Sequence, residues 1–397
     1  MLPPRRTTIN KNGSKMNIYQ SFAHSVTGIS HTKQGKACQD AIFKHYSENL
    51  AIAVVADGHG DDNCFRSDRG AKFAAECAAR GLKSFAAYIN DSQENPQAAL
   101  RERLIEQGII PAWYGLVAQD FAKFPLTAQD IQNTGEKYRR QYMAGENLHH
   151  AYGTTLIAAA ITKDFWFAIH IGDGRLSALY PDGSFDQPVP WDEKCFLNVT
   201  TSICDPDAAE RARCYFSFHR EKPPPAAVFL CTDGIDDNYP VEGNEKHLYK
   251  LYRAVALTFA EDGFEKTCDQ LEKLAGRFAN EGKGDDTSIA GFVDMQAVKK
   301  AAEIWQKEVA AEEQAAQAAT QVAAPAAAGA ETQAAAQAAA QAEAQAAIEA
   351  YGKTAKPEAA PPEKPAPDKP EEQAGGSKPG LIAKVFGGIL ALFKSGK

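Results

Sequence analysis

Three apolar runs of this 397-residue chain end in an aspartate and a glycine: VVADGHG at Asp57, AIHIGDGRL at Asp173 and VFLCTDGI at Asp233. A fourth acidic pair, Asp285 and Asp286 in GKGDDTSIA, stands directly before another apolar run, and Asp40 in ACQDAI opens a further one. One Asp-Gly step is a turn. Several on separate strands of one domain imply strand ends that converge on a shared acidic pocket. Carboxylates brought together in this way repel, and each raises the pKa of the others unless a cation sits among them. Oxygen donors without a cysteine or histidine cluster favour a hard divalent ion, Mg²⁺ or Mn²⁺. The competing reading, three independent solvated turns, fits less well because all three follow runs that read as buried.

The elements that must position these groups are legible in outline. Ala51 to Ala56 is small, apolar and partly β-branched, the pattern of a strand inside a core. GTTLIAAAIT, DFWFAIHIGDG and RLSALYPDGSF read as consecutive strands joined by tight turns, with Asp182-Gly183 as a hairpin signal. AAVFLCTDGI and DDTSIAGFV read as further strands. Ser67 to Ala87 carries Ala71, Ala74, Ala75, Ala78 and Leu82 on one face and reads as a helix. LRERLIEQGIIPAWYGLVAQDFAKF is mainly helical with an interruption at Pro111, and Lys246 to Asn280 is helical. Grouped strands and grouped helices indicate an α+β fold with antiparallel sheets.

Composition excludes several classes. A net charge of −8 argues against a nucleic-acid binder, whose footprint is basic. The eight cysteines form no C-x-x-C pair and read as reduced thiols of a cytoplasmic protein rather than a disulfide framework or zinc site. No apolar run reaches the roughly 18 residues a spanning helix needs. A nucleotide-binding enzyme would want a G-x-x-x-x-G-K-[ST] loop, and the chain has none.

Taken in order, Asp40 in QDAI, Asp57-Gly58-His59-Gly60, Gly153-Thr154-Thr155, Gly172-Asp173-Gly174-Arg175, Thr232-Asp233-Gly234 and Asp285-Asp286 resemble the metal-dependent Ser/Thr phosphatases of the protein phosphatase 2C family. The CQDA form is similar to a divergent bacterial branch. The resemblance covers about residues 20–295 and implies a four-layer α-β-β-α sandwich of two antiparallel sheets flanked by helices. It also implies two Mg²⁺ or Mn²⁺ ions at one edge, with a third, weaker site in some members. Phosphoserine and phosphothreonine in proteins would be hydrolysed by a metal-activated water, with no covalent phosphoenzyme. By this carry-over Asp57 bridges the two metals, the Gly58 carbonyl ligates one, and Asp233 and Asp285 are the other direct ligands. Asp286 is the less favoured neighbour for the Asp285 role. Asp40 orients metal-bound water, Asp173 matches the third-metal aspartate, and His59 protonates the leaving group. Two departures stand out. Gln39 replaces a family acidic residue, and Gly35 replaces the phosphate-binding arginine, so Lys36, with Lys33 beside it, is the nearest substitute cation. The irregular stretch Asp186 to Pro225 lies where the family carries a flap, and its exchange is expected to alter phosphopeptide preference. The alternative is a metal-binding pseudophosphatase acting as a scaffold or sensor.

The domain plan has an N-terminal extension over 1–16, the catalytic domain over 17–295, an Ala/Gln/Glu-rich and then Pro-rich linker over 296–376, and a short basic amphipathic segment over 377–397. Apolar residues from Leu381 to Phe393 recur at helical spacing with lysines around them, which fits an anionic membrane surface or a partner's groove. The catalytic domain is expected to be monomeric.

Overall fold

The computed structural model of the chain describes residues 18–192, 194–195 and 200–322, the side chains of 316–322 excepted. The N-terminal extension, the Pro-rich linker and the amphipathic segment at 381–393 lie outside the described residues.

Among the described residues, ten strands form two antiparallel sheets. The first sheet runs in the order β1 (Tyr19–Val26), β10 (Thr287–Asp294), β9 (Ala227–Cys231), β6 (Arg175–Leu179), β7 (Phe185–Asp186). The second runs β2 (Ala41–Tyr46), β3 (Ala51–Ala56), β4 (Leu156–Ile161), β5 (Phe165–Ile171), β8 (Arg213–Phe218). Central strands are apolar throughout because both faces are covered. In β3, Ala51, Ala53 and Val55 face the other sheet, while Ile52, Val54 and Ala56 face helices. Alanines from both sheets, including Ala159, Ala168, Ala178 and Ala290, fill the inter-sheet core beside Trp166 and Phe292.

The short α1 (Ile29–Gln34) lies against the loop before β10, with Ser30 N–H donating to the Gly284 carbonyl. Outside the second sheet lie α2 (Ser67–Asp91), α3 (Pro96–Ala99), a π-helical stretch (Leu100–Ile109), α4 (Ile110–Lys123) and α5 (Glu136–Met143). Of these, α2 and α4 bury Leu82, Phe85 and Trp113 against β3, β4 and β5. The short α6 (Ala208–Arg211) precedes β8, and α7 (Asp233–Asp236) follows β9 at once. Outside the first sheet lie α8 (Asn244–Asp262), α9 (Phe264–Glu281) and the start of α10 (Met295–Val322), which bury Tyr252, Phe259, Leu271, Val298 and Trp305. The layers are therefore α-β-β-α.

Four elements differ from the sequence reading. The helical run Lys246–Asn280 is two helices, broken at Gly263, whose φ of +86° favours glycine. Pro111 does not end the helix: it sits where the π-helical stretch passes directly into α4, and the chain stays helical through both. The segment Asp186–Pro225 contains α6 and an edge strand, β8, that pairs with β5 from Phe165↔Phe218 to His170↔Arg213. The apolar packing also passes position 295, since Ala297, Val298, Ala301 and Trp305 are buried on the first sheet. The folded unit continues to Gln306, and from Lys307 the helix belongs to a second unit. No helix among the described residues is long and apolar enough to cross a membrane.

Candidate active site

Strand register gathers the acidic residues at one edge of the sandwich. Ala41 pairs with Ala56, so Asp40 and Asp57 lie side by side just beyond that pair. Val55 pairs with Ile157 and Leu156 with Ile171, which brings Thr155 and the Gly172-Asp173-Gly174 turn alongside. In the other sheet Cys231 pairs with both Ile289 and Arg175, so Asp233 leaves β9 where Asp285 and Asp286 enter β10. The turn carrying Asp173 is itself the crossing from the second sheet, at β5, to the first, at β6.

The backbone at Asp57 is held by the Gly-Thr-Thr loop. Thr155 N–H and Thr154 Oγ1 both donate to the Asp57 carbonyl at 2.8 Å, and Asp57 N–H donates to Thr155 Oγ1 at 3.1 Å. His59 N–H donates to the Gly153 carbonyl at 3.1 Å. Gly58 sits against two backbones: a Cβ there would stand 2.6 Å from the Gln39 carbonyl oxygen and 2.8 Å from that of Ser67. Only glycine permits this approach.

The electrostatics are those of uncompensated carboxylates. Burial pushes the Asp57 and Asp233 carboxyls well above the usual range. Asp40, Asp233 and Asp173 add to the effect at Asp57, and Asp173 and Asp285 add to it at Asp233. The two carboxyls lie close enough for each to act on the other. Burial raises Asp173 too, against a bond from the Thr200 hydroxyl. Asp40 is pushed up to about 7 by burial, opposed by the Ser288 and Thr232 hydroxyls and reinforced by Asp286 and Asp285. Nearby cations are committed elsewhere: Arg175 pairs with Asp236 at 2.9 Å, and Lys283 pairs with Asp237. His59 is lowered by its burial, against the pull of Asp173, Asp61 and Asp205.

Among the described residues no three His, Cys, Asp or Glu side chains already close as a ligand group. The donor set nevertheless fits hard divalent ions. Every donor is an oxygen, and a divalent cation would offset the repulsion that raises Asp57 and Asp233.

Asp285 and Asp286 separate in environment. The Asp285 side chain is 56% exposed and the Asp286 side chain 3%. Asp286 accepts N–H from Gly28 at 2.7 Å and from Gln39 at 2.6 Å, and His31 Nδ1 lies 2.9 Å from its other contact face at Oδ2. It anchors the loop ahead of β2, whereas the exposed Asp285 carboxylate accepts only the N–H of Asp286, at 2.8 Å on Oδ1, among the hydrogen bonds of the described residues. Lys36 is half-buried and donates to the Gly60 carbonyl at 3.3 Å. The β7–β8 segment is fastened to the same edge. Trp191 stacks on the Arg175 guanidinium at 3.3 Å, and Arg213 donates to the Gly172 carbonyl at 2.6 Å and to that of Pro190.

The family model described as Protein phosphatase 2C matches residues 27–275. The chain belongs to the protein phosphatase 2C family. It is a protein-serine/threonine phosphatase. Solved structures of similar shape include the Ser/Thr phosphatase Stp1 from Staphylococcus aureus, with 13% identity over 74% of this chain and 99% of that one, TM-score 0.42. The Mycobacterium tuberculosis phosphatase PstP/Ppp is 15% identical over 70% and 99%, TM-score 0.41. The PstP catalytic domain in complex with two manganese ions is 16% identical over 69% and 97%, TM-score 0.41. These likenesses are too distant to carry residue roles across. No curated protein sequence matches the chain.

Within this protein phosphatase 2C fold, the sequence-derived residues Asp40, Asp57, Gly58, His59, Asp173, Asp233, Asp285 and Asp286 all fall at one edge, with Lys36 at its rim. One buried neighbour was not singled out from the sequence. His31, in SHTKQG, is lodged against Asp286 and Asp285. Its only advance signal is a histidine close before QDAI, and a single histidine reads more readily as a satisfied core residue.

Proposed function

We propose that this edge holds two Mg²⁺ or Mn²⁺ ions and hydrolyses phosphoserine and phosphothreonine in proteins without a covalent phosphoenzyme. The observation that carries the reading is the convergence of Asp40, Asp57, Asp173, Asp233 and Asp285 at one sheet edge, where burial and neighbouring carboxylates raise Asp57 and Asp233. Asp57, Asp233 and Asp285, with the Gly58 carbonyl, would be the direct ligands, and Asp173 would serve a weaker third ion. Divalent ions held there would supply the Lewis acidity that activates water and offsets charge on the phosphoryl oxygens. Asp40, which accepts from Thr232 Oγ1 at 2.9 Å, would orient a metal-bound water. His59 would deliver a proton to the leaving seryl or threonyl oxygen. Lys36 is the nearest free cation for the phosphate, acting as a point charge rather than a bidentate fork. Asp286, its oxygens already engaged, would hold the Gly28–Gln39 loop in place rather than bind an ion. The segment between β7 and β8, latched through Trp191 and Arg213, would shape substrate choice.

The test is hydrolysis of a phosphothreonine peptide with Mn²⁺, Mg²⁺ or EDTA, comparing wild type with Asp57→Ala and Asp233→Ala. The reading expects activity that requires metal and disappears in both variants. Metal binding without turnover in the wild type would instead make the protein a pseudophosphatase.

A further inference from the structure

We propose that Tyr142 of α5 is a positioning residue for His59, acting through Asn63 on one side of the loop and His150 on the other. This rests on the reading of His59 as the proton donor to the leaving oxygen. The strand β3 ends at Ala56, so His59 lies beyond the sheet and past the isolated Gly58↔Thr154 bridge. Its N–H donates to the Gly153 carbonyl at 3.1 Å, and Gly153 N–H donates to the His150 carbonyl at 3.0 Å. The His150 ring then turns back: its Nδ1 lies 3.2 Å from the Tyr142 hydroxyl. That hydroxyl donates to the Asn63 carbonyl at 2.7 Å. A tyrosine has one hydroxyl proton, and Asn63 takes it, so His150 completes the contact as an Nδ1–H donor. Cys64 Sγ, at 3.8 Å from the same nitrogen, is the longer and weaker contact. Asn63 belongs to the loop that carries His59, which closes the circuit His59–Gly153–His150–Tyr142–Asn63.

The surroundings hold that hydroxyl in place. Asn63 Oδ1 accepts the N–H of Gly135, the residue before α5, at 2.9 Å, so both ends of the helix are bonded to Asn63. Asp61 Oδ1 accepts the amides of Asn63 and Cys64 at 2.5 and 3.2 Å, which folds the loop on itself. The Tyr142 ring is buried edge-on to Phe65, with centroids 5.8 Å apart. One helical turn earlier, Tyr138 stacks on the His150 ring at 4.4 Å. The helix thus grips both chain segments that flank His59. The imidazole packs on the peptide that the circuit fixes: a Cβ on Gly153 would stand 2.7 Å from His59 Cδ2 and 3.2 Å from Cys64 Sγ. Asp57 has its own backbone bonds to Thr154 and Thr155, so α5 bears on His59 rather than on the carboxylates. A small displacement of a proton donor is costly to the step it serves.

The test is a double-mutant cycle on the full chain in Mn²⁺, with circular dichroism to show each variant folded. Tyr142→Phe keeps the ring and removes the hydroxyl. Alone, it is expected to lower kcat on a phosphothreonine peptide about 10-fold, with KM unchanged within about twofold. On p-nitrophenyl phosphate, whose leaving group departs unprotonated, the loss should stay within about twofold. In the His59→Gln background Tyr142→Phe should cost nothing further, because residues that act as a unit are not additive. Equal losses on both substrates, losses that multiply in the double variant, or an unchanged kcat overturn the inference and leave Tyr142 a purely structural residue. The reading beneath it is checked without Tyr142. If His59→Gln loses as much on p-nitrophenyl phosphate as on the peptide, the acid role falls and the inference falls with it. Should Tyr142→Phe not fold, His150→Phe, which keeps the ring and removes Nδ1, is held to the same outcomes.

Discussion

At the scale of single residues, His59 poses the sharpest chemical question. Burial works against its proton, while Asp173, Asp61 and Asp205 work for it. If it protonates the leaving oxygen, the cost of removing it depends on how much that oxygen needs a proton. His59→Gln is expected to lower kcat about 10²-fold or more on a phosphothreonine peptide, the scale of general acid catalysis. On p-nitrophenyl phosphate, whose leaving group departs unprotonated, the loss should be small. Equal losses on both substrates would deny the acid role and leave His59 a structural member of the loop. Asp57, Asp173 and Asp233 were readable from sequence because each ends its own apolar strand, so a local pattern reports a shared location. The placement of Asp286 and His31 was not readable in that way. Asp286 binds backbone groups 258 and 247 residues away, at Gly28 and Gln39, and no spacing rule links positions that meet only through strand register.

At the scale of elements, the sequence was legible wherever burial on two faces makes a run continuously apolar, as in β3, β4 and β9. It was less legible at the margins. The edge strand β8 is half-buried and follows a loop rich in proline and acidic residues, so neither alternation nor a continuous run marks it. The start of α10 is alanine-rich and seemed to have little to bury, yet one large side chain decides its placement. Trp305 stacks on Phe185 with an interplanar angle of 4°, lies under Arg253, and donates from Nε1 to the Gly183 carbonyl at 3.1 Å. A composition boundary at 295 would cut this contact away. Trp305→Ala is expected to cost about 3–5 kcal/mol in urea unfolding, the range for deleting a buried large aromatic. A chain ending at Gln306 should match the full chain in stability, while one ending at Asp294 should fall below it by at least the Trp305→Ala loss. Equal stability of the two truncations would remove α10 from the folding unit.

At the scale of the whole molecule, the two sheets meet over a core of small side chains and share an edge at which carboxylates repel. That edge should make stability depend on pH and on metal together. Asp40 has its carboxyl raised to about 7 in the folded state, against an ordinary 3.8. Between about pH 4 and 7 the folded form therefore holds more protons than the unfolded form, and this group's contribution to stability falls as pH rises through that window. The half-buried His59 and the buried His170, both lowered by desolvation, act in the opposite direction up to their ordinary value of 6.5. The contribution of Asp40 is isolated by comparison with Asp40→Asn, which keeps the histidines and an oxygen to accept from Thr232. In EDTA, the variant should gain on the wild type steadily from pH 5 to pH 8 in thermal or urea unfolding. If this edge holds Mn²⁺ as proposed, an ion that binds the folded form alone would stabilise it by RT ln(1 + [Mn²⁺]/Kd). Mn²⁺ would then compete with protons for the carboxylates, so the wild type should recover most at high pH, and the advantage of Asp40→Asn should shrink there. An advantage that ignores pH, or that survives Mn²⁺ unchanged, would mean that charge repulsion at this edge is not what limits the metal-free fold.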